Sequence, residues 1–133
     1  MLAPLAFCKL ISAVPAKRLP RRSPCPVACA LDLIGDRWTM LVVRDLMLGK
    51  QRYDEFLASP EGIATNILAD RLKLLQEQGL LTKTADEQDR RRFRYQLTPT
   101  GKSLRDVLIP LARWGLSHLP GTKELLGASH ALR

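Results

Sequence analysis

Three consecutive guanidinium groups, Arg90, Arg91 and Arg92, lead into a segment where Phe93, Tyr95 and Leu97 alternate with Arg92, Arg94 and Gln96. The planar fork of arginine binds phosphate oxygens in pairs or enters a narrow minor groove, which points to a polyanionic partner. A period-two apolar row would seat a strand on a core, with Phe93, Tyr95 and Leu97 as anchors and the charges projecting from a fixed base. The alternative is a solvated turn whose charge is neutralised by Asp86, Glu87 and Asp89.

A second group lies upstream in ATNILADRLKLLQEQG, where Leu68, Leu72 and Leu75 form one helical stripe while Asn66, Ala69, Asp70, Lys73 and Gln76 face elsewhere. The start of that helix carries the small, hydrogen-bonding set Thr65, Asn66 and Ala69, which leaves room for a partner to approach. Asn66 could pair bidentately with adenine. Arg71 and Lys73 suit phosphate contact or, alternatively, an intrahelical ion pair, and Asp70 shares the same outer surface.

The cysteines form a third group. Cys8, Cys25 and Cys29 make neither an even disulfide set nor a zinc pattern, because no matching His or Cys cluster follows. No metal or cofactor is expected, and a reducing cytoplasm fits best. Cys25 and Cys29 lie one turn apart at the start of an expected helix, where a thiol can become reactive; inert packing is the alternative. Enzyme chemistry finds no footing, since GxSxG, HExxH, P-loop and dinucleotide patterns are all missing. His118 and His130 have no nucleophile beside them, and Trp38 and Trp114 read as packing residues, Trp114 alternatively as the lining of an effector pocket.

The elements that must carry these groups follow from spacing. Val27, Ala30, Leu31 and Ile34 predict a short helix that starts at Ser23 before Pro24 and stops at Gly35. Asp36 can cap a second helix with Trp38, Leu41, Val42 and Leu46 on one face, ended by Gly49. A brief extended piece and a short helix follow, closed by Pro60 and Gly62. The helix over 64–78, capped by Thr65 or Asn66, ends at Gly79. LLTKT and RRFRYQLT then predict two strands joined by a polar turn. Thr98 caps a last long helix with Leu104, Val107, Leu108, Leu111 and Trp114 on one side and a kink at Pro110.

The fold class is therefore mostly α with a small β-ribbon (α+β), and helix, helix, short helix, helix, ribbon, long helix is the order of a winged helix-turn-helix. The chain has 133 residues, enough for one core. Of its net charge of +8, five units come from residues 1–22, which carry Lys9, Lys17, Arg18, Arg21 and Arg22 and no acidic side chain. Total charge thus says little about the globular part. The expected organisation is a basic, disordered or partly ordered arm over 1–22 or a mis-assigned start, a domain over 23–120 and a tail over 121–133. The first residues lack the basic n-region of a secretory signal, and no apolar run is long enough for a membrane span.

The segments CPVACALDLIGDRWTMLVVRDLMLGKQRYDEF, GIATNILADRLKLLQEQGLL, YQLTPTGKSL and LARWG, in that order, closely resemble the HxlR-type, MarR-like winged-helix regulators of bacteria. The resemblance implies a cytoplasmic homodimer built from the first and last helices, here Val27, Leu31, Leu104, Val107, Leu108, Leu111 and Trp114. It implies binding of double-stranded DNA at a pseudo-palindromic operator, most often as a repressor. It also implies a thiol sensor at Cys25 for electrophiles or other small effectors, to which Cys29 is an addition. A winged-helix interaction module that binds protein or RNA without specific DNA binding is the competing reading.

Overall fold

The computed structural model describes residues 19–124. Cys8, His130, most of the expected basic arm and most of the expected tail lie outside the described residues. The element order is α1 (Pro26–Ile34), α2 (Thr39–Met47), α3 (Tyr53–Leu57), α4 (Thr65–Glu77), β1 (Leu81–Ala85), β2 (Phe93–Leu97), α5 (Pro99–Lys102) and α6 (Arg105–His118). This is the mostly helical winged arrangement, with one two-stranded antiparallel sheet.

α1 begins later than expected: Cys25 is its N-cap, and Pro26, not Pro24, is its first residue, a position where the missing N–H costs nothing. α1 buries none of its residues. α2 is the central core helix, but its buried face is turned from the expected one. Thr39, Val42, Val43 and Leu46 point inward, while Trp38 and Leu41 are only half-buried. Thr39 can face the core because its hydroxyl donates to the Asp36 carboxylate. Asp36 also accepts the Trp38 and Thr39 N–H groups at 2.9 and 3.1 Å. It serves the first turn from two residues before the observed N-cap, Trp38.

A charge cluster built on the buried Asp45 and Ser59 ties the turn between α3 and α4 to α2. The Ser59 hydroxyl donates to Asp45, Lys50 Nζ donates to Ser59 Oγ at 2.6 Å, and Arg44 Nη2 lies 3.0 Å from Asp45 and 2.7 Å from Glu61. With Ile63 buried just beyond, this cluster sets where α4 starts.

α4 buries Leu68, Leu72 and Leu75, the stripe expected from spacing. Its N-cap is Ala64, not Thr65 or Asn66, and no side chain caps it. Thr65 is instead fixed through its carbonyl, which accepts the Tyr53 hydroxyl. Gly79, at φ 74°, ends α4 in the left-handed region that lacks a Cβ penalty and turns the chain into the ribbon.

In the ribbon Leu81 faces Leu97, Lys83 faces Tyr95 and Ala85 faces Phe93. The Tyr95 N–H, pointing away from β1, donates to the Gln51 carbonyl at 2.8 Å, so one hydrogen bond pins the segment before α3 to the ribbon's other edge. Thr98 closes the base: its hydroxyl donates to the Gly79 carbonyl at 2.7 Å and accepts the Gly101 N–H at 3.1 Å. The expected single last helix is two. After α5, the bonds from Leu104 to Gly101, Asp106 to Ser103 and Val107 to Leu104 span three residues rather than four, tightening the backbone where Gly101 and Ser103 disfavour a regular helix. Pro110 lies inside α6.

Candidate nucleic-acid interface

The outer face of α4 carries Thr65, Asn66, Ala69, Asp70 and Lys73, all exposed, opposite the buried leucines. Arg71 is not among them. It is half-buried, with its Nε 3.4 Å from Asp36 Oδ2 in the bend before α2, so its acidic neighbour lies outside α4 rather than within it. That contact helps hold the Asp36 carboxyl below its ordinary range. Burial opposes the shift, and the Thr39 hydroxyl, the two backbone N–H groups and Arg71 outweigh it. Lys73 stays exposed, with Nζ 4.0 Å from Glu77 one turn on.

The ribbon tip is a compact hydrogen-bonded turn. The Asp86 N–H donates to the Arg92 carbonyl and the Arg92 N–H to the Asp89 carbonyl, both at 2.9 Å, while Asp89 Oδ1 accepts the Arg91 N–H at 3.0 Å. The neutralisation that the solvated-turn alternative supposed is partial: Asp86 pairs with Arg94 and its carboxylate feels the charge of Arg92. Asp89 binds backbone, and Asp86 is turned inward at 1 % exposure. Asp86 Oδ2 lies 2.6 Å from Arg52 Nη2, and its Oδ1 lies 3.5 Å from Arg94 Nη2 and accepts the Gln88 N–H at 3.1 Å. The Gln88 N–H foremost, then Arg52, Arg94 and Arg92, hold the Asp86 carboxyl below its usual value against the effect of burial. Arg90, Arg91 and Arg92 are exposed, and none forms a salt bridge to a described residue.

Anchoring of this turn is uneven. Tyr95 is buried edge-on to Phe56, with ring centroids 6.2 Å apart, and Leu97 packs against the core. Phe93, expected as a third anchor, is 44 % exposed because it lies beyond the core's edge, and Lys83 Nζ covers its ring at 4.1 Å. An open groove of about 280 Å³ runs between α3 and the turn, lined by Arg52, Tyr53, Asp54, Arg91, Arg92, Phe93 and Tyr95. Sequence reasoning missed Arg52 and Arg94. Arg94 was readable as a residue on the ribbon's polar face, but nothing in the local pattern pointed to Arg52.

The thiols and the apolar faces lie apart from these groups in sequence. Cys25 is exposed at the start of α1, with its N–H on Ser23 Oγ at 3.2 Å; Cys29 is half-buried, its Sγ donating to the Ser23 carbonyl at 3.3 Å. Arg22, placed from sequence in a disordered or partly ordered arm, pairs with Asp32 at 2.6 Å. Val27, Leu31, Val107, Leu111 and Trp114 are exposed, Val27 at 65 % and Trp114 at 57 %. Leu108 differs: at 6 % exposure it belongs to the chain's own core, and Leu104 packs beside it. The apolar surface of Leu108 is consumed within the fold, while half-buried Leu104 keeps part of its own. Among the described residues no three His, Cys, Asp or Glu side chains gather as a metal site, and no helix is long and apolar enough to cross a membrane.

With this geometry in view, comparison with known proteins is decisive for the family. The model of the HxlR-like helix-turn-helix family matches residues 33–123. The chain belongs to that family. This HxlR-like chain is 37 % identical over 94 residues to the HTH-type transcriptional regulator Rv3095 of Mycobacterium tuberculosis, covering 71 % of the chain and 59 % of the relative. It thus spans about three fifths of the length of the mycobacterial relatives it matches. Among solved structures, PA1607 superposes with a TM-score of 0.71 at 39 % identity, covering 78 % of the HxlR-like chain and 73 % of PA1607. The redox regulator HypR in its oxidized form superposes at 0.64 with 28 % identity, covering 70 % and 96 % of the two chains.

Proposed function

We propose that this HxlR-like chain is a transcriptional regulator that binds double-stranded DNA, with Thr65, Asn66, Ala69, Asp70 and Lys73 at the major groove and Arg90, Arg91 and Arg92 on the flanking backbone or minor groove. The observation that carries the reading is the joint exposure of two unencumbered groups: the small polar start of α4, and three guanidiniums free of salt bridges to described residues. Arg71, engaged with Asp36, leaves the set. Relatives named as HTH-type transcriptional regulators support the assignment.

The working unit is a homodimer that represses from a pseudo-palindromic operator in the cytoplasm, formed by residues 23–120 with an arm over 1–22 and a tail over 121–133. The support for dimerisation is that α1 has no fully buried residue, only Leu33 and Ile34 packing on the core, and α6 fully buries only Leu108, leaving Val27, Leu31, Val107, Leu111 and Trp114 exposed. Cys25, with Cys29 as a second thiol, answers to electrophiles or disulfide stress; its exposure and the likeness to HypR support this.

The test is equilibrium binding of the full chain to duplexes selected from a random pool, repeated with salt and with diamide. DNA binding through phosphates gives log K falling linearly with log salt, by about 0.9 per phosphate contact. A flat salt response contradicts it, and operator affinity unchanged by diamide removes the thiol part alone.

A further inference from the structure

The arginines of the ribbon tip help a duplex only if the turn that carries them keeps a fixed attitude to α4. Beyond the ribbon base at Gly79 and Thr98, two connections tie the ribbon to the segment that enters α3. One is the Tyr95 N–H on the Gln51 carbonyl. The other passes through Asp86, which reaches Arg52 at the start of α3 (2.6 Å), Arg94 on β2 (3.5 Å) and the Gln88 N–H inside the turn (3.1 Å), while its own N–H closes the turn on Arg92. This carboxylate links three parts of the fold that must move together, and it is almost fully enclosed.

We propose that Asp86 is the positioning residue of the wing, the group that holds Arg90, Arg91 and Arg92 in the attitude at which they and α4 meet one duplex. The proposal rests on the DNA-binding reading above. It makes a prediction opposite to that of net charge. Removing a carboxylate beside three arginines, and releasing Arg52 and Arg94 from it, raises the local positive potential and would by itself tighten binding to a polyanion. If geometry governs, the same change weakens binding, because a wandering turn must be ordered again at each encounter.

The experiment uses the full chain and a duplex selected from a random pool with the unsubstituted protein. Asp86→Asn is expected to bind about tenfold more weakly near physiological salt, with a salt slope shallower by about one to two units. In a chain already carrying Arg90→Ala, Arg91→Ala and Arg92→Ala, adding Asp86→Asn should cost little more, because the groups it positions are gone; a purely structural role would give losses that add in full. Where Asp86→Asn does not fold, judged by its circular dichroism melt, Arg94→Gln takes its place and should show a smaller loss with the same non-additivity. Equal or tighter binding by the folded variant, or full additivity, overturns the proposal. An unsubstituted chain that selects no duplex overturns this proposal and the DNA-binding reading together, whereas a normal chain with an unaffected variant overturns this one alone.

Discussion

Gly101 packs so closely beneath Leu80 that a Cβ placed on it would lie 2.0 Å from the Leu80 carbonyl oxygen, with the Leu97 side chain at 2.9 Å. The glycine lies where the ribbon's two ends meet the last helices, and Thr98 accepts its N–H there. Helix propensity alone would favour alanine at this α5 position by about 1 kcal/mol. The backbone collision reverses that sign. Gly101→Ala is expected to lower stability by about 1–3 kcal/mol or more, read as a fall in the urea midpoint.

Acid should destabilise the fold through identifiable carboxylates. Glu61, hydrogen-bonded by Arg44, has its pKa lowered, as do Asp36 and Asp86. A group with a lower pKa folded than unfolded contributes fully above its unfolded value and loses that contribution as pH falls through the folded one. With unfolded carboxylates near about 4, melting temperature should be level from pH 7 to about 5 and decline below about 4. Asp36→Asn, which removes one of these groups, should show a shallower decline in the same thermal melts.

Within the interface, different residues should fail in different ways. Arg91→Ala should weaken all duplexes alike and reduce the salt slope by about 0.9. Asn66→Ala should leave the slope intact and relax preference at one base position, by about 1–3 kcal/mol of discrimination. Arg71→Ala should reduce the slope less than Arg91→Ala does, because Arg71 is half-buried with its Nε 3.4 Å from Asp36. Fluorescence anisotropy across a salt series distinguishes the three.

Neighbouring leucines on α6 should also separate folding from assembly. Leu108 is in the core, and Leu108→Ala should cost about 2–5 kcal/mol in a denaturant melt. Leu111, over half exposed, touches the core little. Leu111→Asp should keep the melt near its original midpoint but shift sedimentation equilibrium from dimer to monomer.

What could be read from sequence was local. Leu68, Leu72 and Leu75 recur at helical spacing, so α4 and its outward residues were legible before any coordinates. The alternation of Phe93, Tyr95 and Leu97 likewise marked a strand and its apolar face. It could not say how far along that face the core extends, and Phe93 lies past its edge. Asp36 and Thr98 supply the cap acceptors expected of them, whereas α4 starts at Ala64 with no side-chain cap, and Thr65 is held instead through its carbonyl by the Tyr53 hydroxyl, a tertiary bond that local sequence does not announce. The Asp86 to Arg52 contact spans 34 positions in the chain, a separation over which periodicity carries no information.

The most direct test of the central claim, that the start of α4 and the arginine turn grip one duplex together, is a hydroxyl-radical footprint of the full chain on its selected operator. The account predicts two protected half-sites about one helical turn apart, roughly 10–10.5 base pairs, with flanking backbone protection that disappears in Arg91→Ala while the half-site centres remain. Protection that is absent at saturating protein, or that keeps its flanks when Arg91 is removed, would contradict it.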